Sequence, residues 1–268
     1  MKPNLDLEFI RKIEFMEFVD GKQRIQELIN TDLVRQGFSI IDDGKSFSFH
    51  VAALKNPMFN RILVYQDVSE AYLTEKIGFY QNQNTKPRIE IPDELISDKL
   101  RQFLTSSGFS DSGQIDVYYS EKLDSFKDQK NDRIRIQKIG DKESDLFLDV
   151  FVKSNEIPES AWPNIKSLFA HWIDLPNRAN FLLFEDSIPV ASCCAVFCGE
   201  YGALSGVSTI PEKRGQGYQK YMIQKRIEYL KSQGVTSVVS MPNANTISSN
   251  NYEKMGFDRI YQKSVWAY

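Results

Sequence analysis

Segments typical of strands and segments typical of helices alternate along almost the whole of this 268-residue chain. Short runs rich in β-branched and aromatic residues, such as RIEIP, NFLLFED and TSVVSMP, stand between longer stretches whose apolar residues recur at helical spacing. This alternation predicts a mixed α/β sheet with helices packed on its faces.

The composition is that of an ordinary globular protein, with 41% hydrophobic and 26% charged residues. The 33 basic and 36 acidic residues nearly cancel, so the net charge of -3 provides no long-range attraction for nucleic acid or an anionic membrane. No apolar run approaches the roughly 20 residues that span a bilayer, and the acid-rich start of the chain resembles neither a signal nor a transit peptide. We therefore expect a cytoplasmic protein without nucleic-acid or membrane partners.

Three cysteines, Cys193, Cys194 and Cys198, lie in a single strand-like run. They are odd in number, and no His or further Cys stands at ligand spacing from them. The pattern predicts small buried thiols in a reducing compartment, and neither a metal site nor a disulfide.

A nearly all-polar stretch at 121–132 divides the chain. It predicts an amino-terminal α/β domain at 1–125 and a second domain at 131–268. In the first domain, we expect a helix over 5–33 that is interrupted at the sequence DGK, a hairpin around Asp42-Asp43-Gly44, and a later helix that Asp93 opens.

Both halves place Gly-Phe between a helix and a terminal strand. Gly108 and Gly256 suit the position after a helix where the backbone turns left-handed. The similarity favours a duplicated fold, so the amino-terminal domain is either a degenerate copy of the second domain or an unrelated α/β domain. Both interpretations stay open.

The segment VSTIPEKRGQGYQKYM joins a predicted strand to a predicted helix through two glycines and two basic residues. Unpartnered N–H groups in the first turn of a helix, together with the helix dipole, form a binding site for phosphate. Gly215 and Gly217 would let a ligand approach the backbone, and Lys213 and Arg214 add positive charge. From this motif alone, a plain strand–turn–helix joint is an equal alternative.

The wider context resembles the GNAT superfamily of acyl-CoA-dependent N-acyltransferases. Arg214, Gly217 and Gln219 occupy the places of that family's Arg/Gln-x-x-Gly-x-Gly/Ala motif, and Gln219 departs from it by adding a side chain. The resemblance implies that coenzyme A contacts the strand edge and the loop with the helix start that follows it. These segments comprise Val207, Ser208, Thr209, Arg214, Gly215, Gln216, Gly217, Tyr218, Gln219 and Lys220.

A second motif of the same family lies downstream, where Asn245, Ser248 and Tyr252 precede Gly256-Phe257. The resemblance implies that Asn245 and Ser248 lie on the pantetheine arm and that the Tyr252 hydroxyl lies near the thioester sulfur. Acyl transfer expels a thiolate, and a phenol is a suitable proton donor for it. The alternative for Tyr252 is an aromatic side chain that only packs. The resemblance covers about 133–268 and implies the GNAT fold there.

The general base is not fixed by either motif, because the family's base varies in position. Glu200 is our first candidate, and Glu185, Asp186 and His171 are others, although each of them also fits a solvated turn or a packed side chain.

The resemblance implies an acetyl-CoA-dependent N-acetyltransferase that transfers directly to the amine of a small molecule or a peptide. Two alternatives remain: a non-catalytic acyl-CoA-binding module and an aminoacyl-tRNA-dependent transferase. The acceptor and the oligomeric state are not predicted.

Overall fold

A computed structural model describes residues 5–28, 31, 37–126 and 131–268; the predicted helix end at Leu33 lies outside these ranges. The helices are α1 (Leu7–Glu27), α2 (Glu70–Asn82), α3 (Asp98–Ser106), α4 (Ser144–Ser154), α5 (Trp162–Ala170), α6 (Tyr218–Ser232) and α7 (Ile247–Lys254). The strands are β1 (Phe38–Asp42), β2 (Ser46–Val51), β3 (Arg61–Val64), β4 (Arg88–Pro92), β5 (Ser110–Ser120), β6 (Ile134–Lys138), β7 (Arg178–Glu185), β8 (Ile188–Cys198), β9 (Tyr201–Thr209), β10 (Ser237–Ser240) and β11 (Asp258–Ala267).

The chain forms two compact units that are not simply its two halves. The first unit comprises Met1–Tyr118, Met241–Ser249 and Asp258–Tyr268, and the second comprises Tyr119–Ser240 and Asn250–Phe257. The predicted division into 1–125 and 131–268 is a division by chain position, and it stays a prediction. Contacts instead assign two late segments to the first unit.

The first unit is built on strands in the order β1-β2-β3-β4-β11-β5. Strands β3 and β4 are parallel and are joined by α2, whereas β11 pairs antiparallel with β4. The last strand of the chain therefore lies within the sheet of the first unit. Helices α2 and α3 cover one core of this sheet through Leu73, Ile77, Leu100 and Leu104.

The second unit has the strand order β10-β9-β8-β7-β6. Strands β6 to β9 pair antiparallel, and β10 is parallel to β9 after the crossover through α6. Phe147 and Leu148 of α4 pack with Leu182 and Cys194 of the sheet. Antiparallel and parallel pairs thus coexist, which confirms the predicted mixed α/β class.

Two predicted details are wrong. Helix α1 continues without a break through the DGK sequence, where Asp20 is paired with Arg24 at 2.5 Å. A Cβ on Gly21 would lie 2.6 Å from the Phe49 ring, so this glycine permits close packing and does not end the helix. Helix α3 begins after Ser97, whose side chain accepts a hydrogen bond from the N–H of Leu100; Asp93 begins a separate 3₁₀ turn.

The two Gly-Phe positions are confirmed as left-handed helix ends. Gly108 and Gly256 have φ of +88° and +87°. The N–H groups of Phe109 and Phe257 donate to carbonyls five residues earlier, at 3.0 and 3.1 Å. This shared local geometry suits a duplicated fold, and the origin of the first unit stays a prediction. Among the described residues, no helix has the length and apolar character of a membrane span.

Candidate active site

Strand β9 carries a bulge at its centre. Its register with β8 shifts between the pairs Ser192–Ser208 and Cys194–Ser205, so β9 has one extra residue there. Gly206 takes φ +58°, and a Cβ on it would lie 3.1 Å from the Cys194 sulfur. Bulges redirect backbone groups and are frequent beside active sites. In the sequence, the only signal for this bulge is Gly206.

The strand edge that is predicted to contact coenzyme A lies beyond the bulge. This part of β9 does not pair with β10. The parallel register joins Ser237–Val239 to Tyr201–Ala203, whereas β9 continues to Thr209. Among the described residues, the other strand that pairs with β9 is β8. Val207, Ser208 and Thr209 are half-buried, and the Ser208 hydroxyl lies 2.9 Å from that of Ser192.

The loop after β9 leaves the start of α6 without a side-chain cap. Gly215 and Gly217 take φ of +79° and +77°, which strongly favours glycine at both positions. Gly217 is the N-cap of α6, no side chain caps the helix, and the first turn contains no acid. A Cβ at either glycine would meet no atom within 4 Å. The loop therefore offers an anionic group open space and a helix start that no side chain caps.

Charged and aromatic side chains contact one another around this loop. Lys213 pairs with Glu185 at 2.5 Å, and the buried Tyr218 hydroxyl faces the same carboxylate. Desolvation and the Glu185 carboxylate raise the pKa of Tyr218 to about 12. The hydrogen bond from Lys213 and the nearby Tyr218 hydroxyl lower the pKa of Glu185, which makes this residue a weaker base than an ordinary glutamate.

Arg214 connects the loop to the end of α4. Its guanidinium pairs with Glu156 at 2.7 Å and donates to the carbonyls of Ser154 and Thr209, at 2.9 and 3.3 Å. The side chain of this motif residue thus holds the end of β9 against α4. Gln216 and Lys220 are exposed beside it.

The residue that departs from the family motif has a specific partner. The amide group of Asn251 in α7 donates to Oε1 of Gln219 at 2.7 Å. The added side chain therefore links the first turn of α6 to the residue next to Tyr252.

Tyr252 is buried and packs edge-on against Phe257, with ring centroids 5.2 Å apart. The guanidinium of Arg226 lies against its hydroxyl. Arg226 is fully buried and donates to the carbonyls of Met222, Cys194 and Ser205, at 3.0, 3.1 and 3.2 Å. No carboxylate pairs with Arg226 in the part of the chain that the structure describes.

Sequence reasoning missed Arg226. The signal was available, because this arginine stands in the buried stripe of α6 among Met222, Ile223, Ile227 and Leu230. A charge in such a stripe has to be compensated by polar groups, and here these are the carbonyls on both sides of the β9 bulge and a phenol.

Asn245 and Ser248 belong to the first unit. Asn245 is exposed and left-handed, with φ +59°, and Ser248 is half-buried. The Thr246 hydroxyl between them accepts from the N–H of Ser249 at 3.2 Å. Ile247 is 80% exposed, an apolar side chain that stands open to a ligand at this position.

Of the candidate bases, Glu185 lies beside the loop, where it pairs with Lys213. Glu200 is exposed in the turn before β9, at the opposite end of that nine-residue strand, roughly 25 Å from Thr209. Asp186 pairs with Arg133, and His171 is exposed after α5. Glu200 therefore stays an untested prediction, separated by the strand from the loop residues.

The cysteine prediction is confirmed for burial. Cys193 and Cys194 are buried, Cys198 is half-buried, and all three are free thiols. Within the described ranges, no group of three or more His, Cys, Asp or Glu side chains could hold a metal ion.

Comparison with known proteins connects this geometry to a family. The family model described as "Acetyltransferase (GNAT) family" matches residues 145–257, which contain the loop, α6 and Tyr252. No curated protein sequence matches the chain.

Solved structures share the fold at low identity. A functionally unknown protein from Staphylococcus epidermidis ATCC 12228 is 14% identical with a TM-score of 0.69, over 90% of this chain and 98% of that one. A GCN5-related N-acetyltransferase from Kribbella flavida is 13% identical with a TM-score of 0.64, over 94% and 95%. A tandem GNAT protein from the clavulanic acid biosynthesis pathway is 10% identical with a TM-score of 0.58, over 98% and 95%. The chain therefore has the fold of these GNAT structures, and its residues 145–257 match the model of the GNAT acetyltransferase family.

Proposed function

We propose that the chain is an N-acetyltransferase that takes the acetyl group of acetyl-CoA and transfers it directly to an amine. The start of α6 supports this proposal most strongly. It combines two left-handed glycines, open space above them, and a first turn without a side-chain cap or an acid. A pyrophosphate would supply the negative charge that this helix end lacks.

The chain's own groups are suited to hold the rest of such a ligand. The backbone amides at the start of α6, including those of Tyr218 and Gln219, are proposed to hold the phosphates, and the edge of β9 beyond Ala203 offers backbone groups to the amides of pantetheine. Asn245 and Ser248 are proposed to bind the same arm. Acetyl-CoA, when bound, supplies a thioester carbonyl and a thiolate leaving group.

Tyr252 is proposed as the acid of the transfer. The amine nitrogen forms a bond to the thioester carbon as the carbon–sulfur bond breaks, and the phenol proton of Tyr252 passes to the departing sulfur. The guanidinium of Arg226 stabilises the negative charge that develops on the phenol oxygen. The amine proton leaves to a base, for which Glu200 remains the predicted residue and Glu200→Gln is the test.

Two measurements test the function. Calorimetric titration with acetyl-CoA should show binding, and an amine library should release free CoA thiol from acetyl-CoA. Absence of binding would contradict the proposal. Binding without thiol release would favour a non-catalytic acyl-CoA-binding module. An aminoacyl-tRNA-dependent transferase would need no acetyl-CoA affinity at all. The cytoplasmic location and the small-molecule or peptide nature of the acceptor stay predictions.

A further inference from the structure

The first unit contains a cavity of about 370 Å³ whose wall carries buried charges. Its apolar lining includes Pro57, Met58, Ile115 and Met241. Six charged side chains line it or lie directly behind it, and we name them the cavity cluster: Glu14, Glu17, Arg61, Arg88, Glu90 and Lys263.

Glu90 is the centre of the cavity cluster. Its fully buried carboxylate lies 2.9 Å from Arg61, 3.0 Å from Arg88 and 2.9 Å from Lys263. Burial alone would raise the pKa of Glu90, but the three cations outweigh it and lower the pKa. Glu90 is therefore an ionised, immobile counter-charge.

Lys263 also reaches Glu14, at 3.0 Å, and the Tyr261 hydroxyl donates to the same carboxylate at 2.7 Å. Desolvation raises the pKa of Glu14 despite Lys263. When Glu14 holds a proton, the three cations of the cluster face only two carboxylates. Desolvation of each buried ion costs several kcal/mol of free energy before the ions pair. A fold therefore does not need such a cluster for its stability.

Arg88 is the open member of the cavity cluster. Its side chain is 30% exposed, and it pairs with Glu90 through Nε. Within the described residues, its two Nη groups have no partner. They form a planar pair of donors at the cavity wall, a geometry that matches a carboxylate. Asn56 and Asn243 line the same cavity.

We propose that this cavity binds a small carboxylate ligand, such as an α-amino acid, with the carboxylate on Arg88 and the hydrocarbon part on the apolar lining.

The experiment compares each of the twenty L-amino acids with its α-carboxamide, a pair that differs by the negative charge. Binding is followed by ligand-observed NMR. At least one amino acid should bind, and its amide should bind roughly 10- to 100-fold more weakly, the loss expected for a charged hydrogen-bonded pair. Arg88→Gln should remove this preference.

The matched control is Arg101→Gln, in the same unit, whose guanidinium lies 3.7 Å from Asp93 and does not line the cavity. It should keep the preference. Arg88→Gln should fold, since Arg61 and Lys263 still neutralise Glu90, and thermal unfolding checks this.

Failure to bind any amino acid, or equal preference in wild type and Arg88→Gln, would overturn the inference. Neither result bears on the proposed function, which titration with acetyl-CoA and release of CoA thiol test separately.

Discussion

The guanidinium of Arg226 lies against the hydroxyl of Tyr252 and also donates to the carbonyl of Ser205 at 3.2 Å, next to the bulge residue Gly206. Burial alone would lower the pKa of Arg226, but the neighbouring phenol and Cys193 outweigh it and raise the pKa, so this residue stays a cation. A cation beside the phenol oxygen stabilises the negative charge on that oxygen once the phenol proton has gone.

We expect Tyr252→Phe to lower kcat on the order of a hundredfold, since a positioned general acid contributes at least that much. The dissociation constant for acetyl-CoA should change little, because the ring and its packing on Phe257 remain. Steady-state kinetics and calorimetry measure the two effects. Tyr229→Phe, on the same unit and packed against Phe181, should be neutral. Wild-type kcat in Tyr252→Phe would assign Tyr252 to packing.

Arg226→Lys should also lower kcat, because an ammonium does not reproduce the forked contacts to three carbonyls and a phenol. If Arg226 acts through Tyr252, its effect should largely disappear in the Tyr252→Phe background. A double-mutant cycle on kcat measures this coupling. Additive losses would show that the two residues act independently.

Gly217→Glu should abolish most of the acetyl-CoA affinity by placing a bulky negative charge at the phosphate position. The backbone strain needs its own control, because φ at Gly217 is +77°. Gly234→Glu provides it: Gly234 has φ +83° and equally open surroundings at the other end of α6. Both variants should lose about 1–2 kcal/mol of unfolding free energy, and only Gly217→Glu should lose the ligand. Equal affinities by calorimetry would remove the loop from the binding site.

The positions of most elements could be predicted because they depend on local pattern. The hairpin around Gly44 and the helix ends at Gly108 and Gly256 are such features. The continuity of α1 could not be predicted, because Gly21 is required by the ring of Phe49, which only the fold brings near.

The pairing of β11 with β4 could not be predicted either, since strand partners far apart in sequence leave no mark on periodicity. The candidate loop could be found from its glycines and the family motif. The role of Arg226 could not, because its partners are backbone carbonyls at a bulge, and these have no signature in the sequence.

Gln219→Ala should change acetyl-CoA affinity by no more than a few-fold, since the Gln219 side chain is engaged by Asn251. It should lower the unfolding free energy by about 1 kcal/mol through the lost hydrogen bond. Asn251→Ala should have the same effect on stability. A loss of affinity above tenfold in Gln219→Ala alone would show that this side chain contacts the ligand.

Asp43 should make the first unit sensitive to acid. Burial acts to raise its pKa, but hydrogen bonds from Lys76, Tyr72 and two backbone amides outweigh it and lower the pKa from 3.8 to about 2. A carboxylate whose pKa is lowered by folding stabilises the fold above pH 4, and this contribution is lost as the pH falls from about 4 to 2. Asp43→Asn should therefore be less stable than wild type at pH 6 and nearly equal to it at pH 2 in urea titrations. Glu75→Gln, at an exposed site on α2, is the control, and a pH-independent difference for Asp43→Asn would contradict the assignment.

One acetyl-CoA should bind per chain, because the two crossover helices begin in opposite ways. Helix α2 follows β3 as α6 follows β9, but the Ser69 side chain caps α2 by accepting from the N–H of Tyr72 at 3.2 Å. Glu70 in its first turn adds negative charge, which satisfies the helix dipole and repels a pyrophosphate. The start of α6 has neither feature.

Ser69→Ala should lower the free energy of unfolding by about 1 kcal/mol and leave acetyl-CoA binding unchanged, whereas Gly217→Glu should remove the single site. Calorimetry gives the stoichiometry directly. Two equivalent sites in the wild type, or residual full-affinity binding in Gly217→Glu that disappears on changing Ser69, would show that the first unit binds the ligand as well.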